Sequence, residues 1–171
     1  GGVTKRTDTD TDGSSIVKEY NDAGDLIKEA TFNTDGTIIV NEYNDAGSPI
    51  KFTSTNTDGS GTEVEYNASG GITKQTDTNT DGSSVENEYN NTGQRTQKTE
   101  TDVVGNINVT EYDSSGIMSK TIASNVDGSG NEVEFNASGG VTKRTDTNTD
   151  GSNIVNEFNN TGQRTQKTET D

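Results

Sequence analysis

Residues 10–24, DTDGSSIVKEYNDAG, contain the local signals from which the fold can be predicted. It places a short run rich in β-branched residues, Ser15–Tyr20, between two turn signals that each close on a glycine. Residues 3–9 (VTKRTDT), which begin at Val3, form a second run with period-two alternation. The segment therefore predicts two strands joined by tight turns, and each glycine suits the left-handed position of a type I turn followed by a bulge.

This segment belongs to a 23-residue unit that recurs seven times without insertion or deletion. Fixed-period self-similarity is the signature of a stacked repeat array, and it argues against an enzyme, whose active site needs unlike residues that converge. A row of glycines recurs with the same period from Gly1 to Gly162. The single array 1–171 divides into units 1–23, 24–46, 47–69, 70–92, 93–115, 116–138 and 139–161, followed by the partial unit 162–171.

Each unit also carries one aromatic residue at a fixed position. We interpret this aromatic row as a structural stripe rather than a sugar-binding platform, because the chain has no Trp. The aromatic row is Tyr20, Tyr43, Tyr66, Tyr89, Tyr112, Phe135 and Phe158.

The composition leaves little material for a conventional core. Leu, Ile, Val and Phe make up 27 of 171 residues, and the formal net charge is -16. Such values are typical of disordered chains, so main-chain ladders, bound ions or stacking on further copies must supply the missing stability. The absence of Cys and His excludes disulfides, thiolate metal sites and a His general base. The acidic charge disfavours nucleic acid and anionic membranes and favours cations, and no apolar run is long enough for membrane insertion as a helix.

Two all-β architectures fit the pattern of short strands and regular turns. One is an elongated antiparallel meander or spiral of β-hairpins; the alternative is a two-sheet β-solenoid, in which identical residues stack ~4.8 Å apart. A solenoid would stack like charges, whereas a meander flanks every Glu-bearing strand with Lys-bearing strands, which favours the meander. The glutamates are Glu19, Glu42, Glu65, Glu88, Glu111, Glu134 and Glu157, and the lysines are Lys5, Lys28, Lys51, Lys74, Lys120 and Lys143.

Residues 12–28 (DGSSIVKEYNDAGDLIK) resemble the YD repeat of bacterial Rhs and teneurin-type surface proteins. The spacings from Gly13 to Tyr20 and from Tyr20 to Gly24 match that repeat, and the resemblance covers the whole chain. Asn mostly replaces the Asp after the aromatic residue, the period is longer, and the apolar content is lower than in that family. The resemblance implies hairpins that spiral into a shell around a cargo. The low apolar content here supports the hairpins more than the enclosing role.

Alternating acidic residues near the first turn match the loop pattern of an EF-hand, with a glycine at the bend and a glutamate at the twelfth position. Ordinary turn chemistry favours the same residues at these positions. We therefore predict no resident cofactor, and calcium is the one candidate ion. The candidate ligands are Asp8, Asp10, Asp12 and Glu19 in one set, Asp77, Asn79, Asp81 and Glu88 in a second, and Asp146, Asn148, Asp150 and Glu157 in a third. The fifth unit breaks the motif, since Val104 replaces the turn aspartate.

Two further patterns have both a functional and an ordinary interpretation. Threonines alternate at residues 7–11, 76–80 and 145–149, which resembles ice-binding surfaces but also suits any solvated strand. Sequons for N-glycosylation begin at one turn position in four units, where Asn is also a preferred turn residue. The glycosylation candidates are Asn67, Asn90, Asn136 and Asn159.

Together these patterns predict an extracellular structural repeat protein of the bacterial cell surface, a segment or subunit of a fibre, filament or adhesin stalk. The alternative is a calcium-dependent or ice-binding adhesin module. The chain opens at Gly1 without a signal peptide, so we expect a mature subunit or an excerpt of a longer array. Because an open sheet presents unpaired main-chain groups, the expected partners are further copies of itself.

Overall fold

The computed structural model describes residues 4–171 of the chain. Gly1 and Val3, which the repeat assigns to the glycine row and the first strand, lie outside the described residues. Within residues 4–171 the regular structure is entirely β, and no helix is long and apolar enough to cross a membrane. The fifteen strands of these described residues form one open antiparallel sheet, in which their order is the order of the chain. This confirms the predicted hairpin meander, and the solenoid alternative is wrong.

The strands are of two kinds that alternate along the chain. The odd strands are β1 (Lys5–Thr9), β3 (Leu26–Phe32), β5 (Pro49–Thr55), β7 (Ile72–Thr78), β9 (Arg95–Thr101), β11 (Met118–Ser124), β13 (Val141–Thr147) and β15 (Arg164–Thr170). The even strands are β2 (Ser15–Tyr20), β4 (Ile38–Tyr43), β6 (Gly61–Tyr66), β8 (Ser84–Tyr89), β10 (Ile107–Tyr112), β12 (Gly130–Phe135) and β14 (Asn153–Phe158). Every even strand ends on its member of the aromatic row.

The turns have the geometry that their glycines predict. In the first odd-to-even turn, Gly13 N donates to Asp10 O at 3.1 Å and Asp10 N donates to Ser14 O at 2.9 Å. Gly13 has a φ of 93°, which only glycine adopts without strain. This pair of hydrogen bonds is that of a type I turn closed by a glycine bulge, and it leaves the two strands in antiparallel register.

In each even-to-odd hairpin the odd strand has a β-bulge opposite the step from the glutamate to the aromatic residue. Glu19 lies opposite Lys28, but the next residue, Tyr20, lies opposite Leu26, so one residue of β3 has no partner. The same shift places Tyr43 opposite Pro49, the first residue of β5. Pro49 is tolerated there because the start of a strand does not require its N–H.

The chain divides into two compact units. The first comprises Gly1–Gly82 with Asn91–Gly93, and the second Ser83–Asn90 with Gln94–Asp171. Within each unit, the described strands contact only the strands that precede and follow them in the chain, so each is a single layer of sheet. Among the described residues only Ala30 and Val64, both in the first unit, are buried. Most strand side chains are therefore half-exposed on one face or the other.

Opposite charges alternate across the strands of each unit. Lys28 lies between Glu19 and Glu42 in register, and its Nζ is 3.2 Å from Glu42 Oε1. In the second unit Lys120 lies between Glu111 and Glu134, although its Nζ contacts the diagonal Glu132 at 2.8 Å. We call this pattern the Lys–Glu row; it runs through Lys5, Glu19, Lys28, Glu42, Lys51, Glu65 and Lys74 in the first unit, and through Glu88, Gln97, Glu111, Lys120, Glu134, Lys143, Glu157 and Gln166 in the second. The cross-strand pairing that favoured the meander is thus confirmed.

Lys28→Glu tests the contribution of the Lys–Glu row to stability. The change places three glutamates side by side on adjacent strands, and like charges directly opposite each other destabilise a sheet by roughly 0.2–1 kcal/mol per pair. We expect the free energy of unfolding to fall by about 1–2 kcal/mol at low salt and to recover in part at high salt. Urea unfolding at the two salt concentrations measures both effects.

Lys28→Gln is the matched control, because the chain itself has glutamine at this position in Gln97 and Gln166. It should cost less than Lys28→Glu and depend less on salt. Equal losses for the two variants would show that charge alternation does not stabilise the sheet.

Candidate functional site

The aspartates of the odd-to-even turns accept hydrogen bonds from residues of their own turns. Asp58 Oδ1 accepts hydrogen bonds from Ser60 N at 3.0 Å and from Ser60 Oγ at 2.7 Å. The hydroxyl and amide of Ser60 favour the ionised carboxylate, so they lower the pKa of Asp58 below its ordinary value. The pKa is lowered in the same way, by the residue two positions later, at Asp12, Asp35, Asp127 and Asp150.

The fifth unit closes its turn with a different aspartate. Val104 stands where the other units have the turn aspartate, and here Asp102 accepts from the backbone N–H groups of Val104, Gly105 and Asn106, each at 2.9 Å. The side chain of Asn106 also donates to Asp102 at 2.7 Å and is the main cause of its lowered pKa. In this turn the aspartate at the first position therefore accepts the backbone hydrogen bond from the residue after the glycine, which the aspartate at the third position accepts in other units.

The side chains of the four glycosylation candidates accept backbone hydrogen bonds within the even-to-odd turns. Asn67 Oδ1 accepts from Ser69 N and Gly71 N, both at 2.9 Å. Asn136 accepts from the equivalent residues Ser138 and Gly140 at the same distances. Asn159 accepts from Thr161 N and Gln163 N, and Asn90 accepts from Gln94 N. This explains why Asn recurs at the position; modification of these residues stays a prediction.

The calcium candidates are separated by the hairpin register. Glu19 lies opposite Lys5, with Lys5 Nζ 3.2 Å from its Oε1, whereas Asp10 and Asp12 lie in the turn at the other end of the hairpin. Asp8 pairs with Arg6 on its own strand at 2.8 Å. The glutamate at the twelfth position therefore does not fold back on the turn, as it would in an EF-hand loop.

The second and third candidate sets have similar surroundings. Asp77 accepts from Thr62 Oγ1 at 2.6 Å and from Gln75 Nε2 at 2.8 Å, and Glu88 lies opposite Gln97. Asp146 pairs with Arg144 at 2.7 Å, while Glu157 lies opposite Lys143. Asn79, Asp81, Asn148 and Asp150 lie in or beside the odd-to-even turns. Among residues 4–171, no group of three or more acidic side chains comes close enough together to hold a metal ion.

The alternating threonines lie only partly on strands. Thr7 and Thr9 belong to β1, opposite Val17 and Ser15, but Thr11 lies in the following turn. Thr80 and Thr149 likewise fall in turns, so the third member of each triplet leaves the strand face.

The aromatic row carries an interaction that the repeat pattern did not predict. Arg95 extends across the sheet to Tyr112, where its Cζ lies 4.6 Å from the ring centroid and its Nη2 donates to the hydroxyl at 2.8 Å. Its Nη1 also donates to Asn87 Oδ1 at 3.2 Å. The signal in the sequence is a departure from the 23-residue period: Arg95, like Arg164, stands where other units have Leu26, Pro49, Ile72, Met118 or Val141.

Comparison with known families gives one match, to a family described as a protein of unknown function (DUF2963). It covers residues 10–54, about a quarter of the chain, and begins at the first odd-to-even turn. No curated protein matches the chain.

The turn aspartates predict a dependence of stability on acid. Because their folded-state pKa is lowered, their contribution is present above the unfolded-state pKa of about 3.9 and is lost as pH falls through the lower folded-state pKa. We expect carbon-detected NMR to give Asp58 a lower pKa in the folded protein than in urea. In Asp58→Asn, which keeps an oxygen for Ser60 but cannot titrate, the melting temperature should fall less between neutral pH and pH ~2. Equal pKa values for Asp58 in the folded and unfolded chain would contradict this account.

The calcium hypothesis has a direct test in chelation. The carboxylates already accept hydrogen bonds from their own turns or pair with neighbouring cations, so we expect EDTA to leave the melting temperature unchanged. A ligand that binds only the folded state raises its stability, so a bound calcium ion would be revealed by a lower melting temperature in EDTA. Recovery of that loss with calcium but not with magnesium would favour the calcium-dependent module over this prediction.

Proposed function

We propose that this chain is a structural segment of an extracellular bacterial fibre, filament or adhesin stalk. The observation that carries the proposal is that, within each compact unit, the strands contact only their chain neighbours. A further hairpin then adds the same contacts as the one before it, so length can change without redesign of a core. Structural spacers and stalks use this property.

The distribution of charge supports the same proposal. The turns carry most of the net negative charge, because the lysines and arginines all lie on strands, where they nearly balance the acidic residues. Acidic turns at the rims favour solubility, and paired charges on the faces limit unwanted association through apolar surface. The resemblance of the hairpins to YD repeats of bacterial surface proteins adds to the proposal.

The partners that the proposal implies are further copies of the repeat. The backbone of an open antiparallel sheet can pair with any strand that continues the register, in the same chain or in another subunit. An enzymatic role is no part of the proposal, because the repeated side chains offer no convergence of unlike catalytic groups.

Immunogold electron microscopy on intact cells of the source organism tests the proposal. Antibodies raised against residues 1–171 should label the cell surface, with particles along fibres or stalks, and the purified protein should compete the label away. Label found only in the interior of sectioned cells would overturn an extracellular structural role.

A further inference from the structure

A recess lies between the first two members of the aromatic row. Tyr20 and Tyr43 form its walls and Leu26 lies between them, while Asp25 and Asp45 line it from the two adjoining turns. We call it the Tyr20–Tyr43 recess. All of these residues belong to the first compact unit. The recess therefore combines aromatic surface with two carboxylates.

The two carboxylates meet at a single neutral donor. Asn21 Nδ2 donates to Asp25 Oδ2 and to Asp45 Oδ1, at 3.3 Å each. Within the described residues neither carboxylate forms an ion pair, so an amide alone bridges two like charges. Carboxylates that are close together raise each other's energy, and a cation placed between them would relieve this repulsion.

The second unit shows what the equivalent space accepts. Arg95 and Tyr112 stand three repeat periods after Leu26 and Tyr43. There the guanidinium of Arg95 lies over the ring of Tyr112, 4.6 Å from its centroid, and donates to its hydroxyl at 2.8 Å. The repeat therefore places the guanidinium of Arg95 beside the aromatic row. The equivalent residue in the first unit, Leu26, has no such group.

The side chains around the Tyr20–Tyr43 recess favour an external cation. Asp25 and Asp45 stand where the second unit has the neutral residues Gln94 and Ser114. The residue equivalent to Asn87 is Lys18, whose charge is paired with Glu29 at 3.2 Å. The recess thus has more negative charge than its filled counterpart and lacks the arginine that fills it.

We propose that the Tyr20–Tyr43 recess binds an arginine side chain presented by a partner protein. A guanidinium is planar, stacks on aromatic rings and donates in a fork that matches a pair of carboxylates, which an ammonium does not do equally well. This binding role is separate from the proposed structural role, because it concerns one recess and not the repeated architecture.

Titration of the full chain with N-acetyl-arginine amide tests the binding. We expect saturable NMR shifts of the Tyr20 and Tyr43 ring protons and the Leu26 methyl groups. N-acetyl-citrulline amide, a neutral near-isostere, should cause no such shifts. Tetramethylammonium distinguishes the guanidinium from cations in general, and we expect it to bind at least about threefold more weakly. Equal shifts with citrulline, or equal affinity for tetramethylammonium, would overturn the proposal.

Two variants test the assignment of residues. Asp25→Asn combined with Asp45→Asn should weaken the arginine probe by about fivefold, because the two exposed charge contacts together are worth ~1 kcal/mol. Glu169→Gln combined with Asp171→Asn removes the same charge at the C-terminal end of the chain and should change the affinity by less than about twofold. Equal losses in the two double variants would show only general attraction to an acidic chain and would contradict the site.

Leu26→Arg supplies an independent readout, because it copies the arrangement of Arg95. We expect its guanidinium to occupy the recess, shift the Tyr43 ring protons without any ligand and abolish binding of the arginine probe. Retention of full binding in folded Leu26→Arg would overturn the proposal.

Discussion

Main-chain hydrogen bonds between consecutive strands hold this sheet together. Within each compact unit, every described strand pairs with its chain neighbours, and no second layer covers either face. Only Ala30 and Val64 are buried among the described residues, so burial of apolar side chains cannot dominate the stability. Antiparallel hairpins suit this situation because each strand is joined to its partner by a short, preformed turn.

The side chains serve the ladder in two ways. Across the faces, the alternation of Lys and Glu turns what would be repulsion into pairing, as at Lys28 between Glu19 and Glu42. At the rims, Asp58 and Asn67 accept hydrogen bonds from backbone N–H groups of their own turns. Each turn is therefore stabilised by its own residues. The acidic residues, whose number would suit a disordered chain, are thereby divided between strands, where many face Lys or Arg, and turns, where several cap the backbone and remain solvated.

The strands and turns could be predicted from the sequence because they depend on local chemistry. The bounds of β2 follow from two glycine turns and the aromatic residue at its end, and Pro49 lies at the strand start expected for it. The alternation of charges predicted a lysine opposite Glu19, but the EF-hand spacing could not exclude this glutamate as a calcium ligand, because only the hairpin register separates it from Asp12. The contact of Arg95 with Tyr112 on the adjacent strand depends on a side-chain rotamer, which a departure from the repeat pattern does not specify.

Amide hydrogen exchange of the folded protein tests most directly whether a sheet without a core is held by its ladder. We expect slow exchange for ladder amides of interior strands such as β4 and β12, although nearly all side chains of those strands remain partly accessible to solvent. We also expect protection of the Gly71 amide, which donates a hydrogen bond to Asn67 Oδ1 within the same turn. Exchange at the rate of an unfolded chain throughout β4 and β12 would contradict the account.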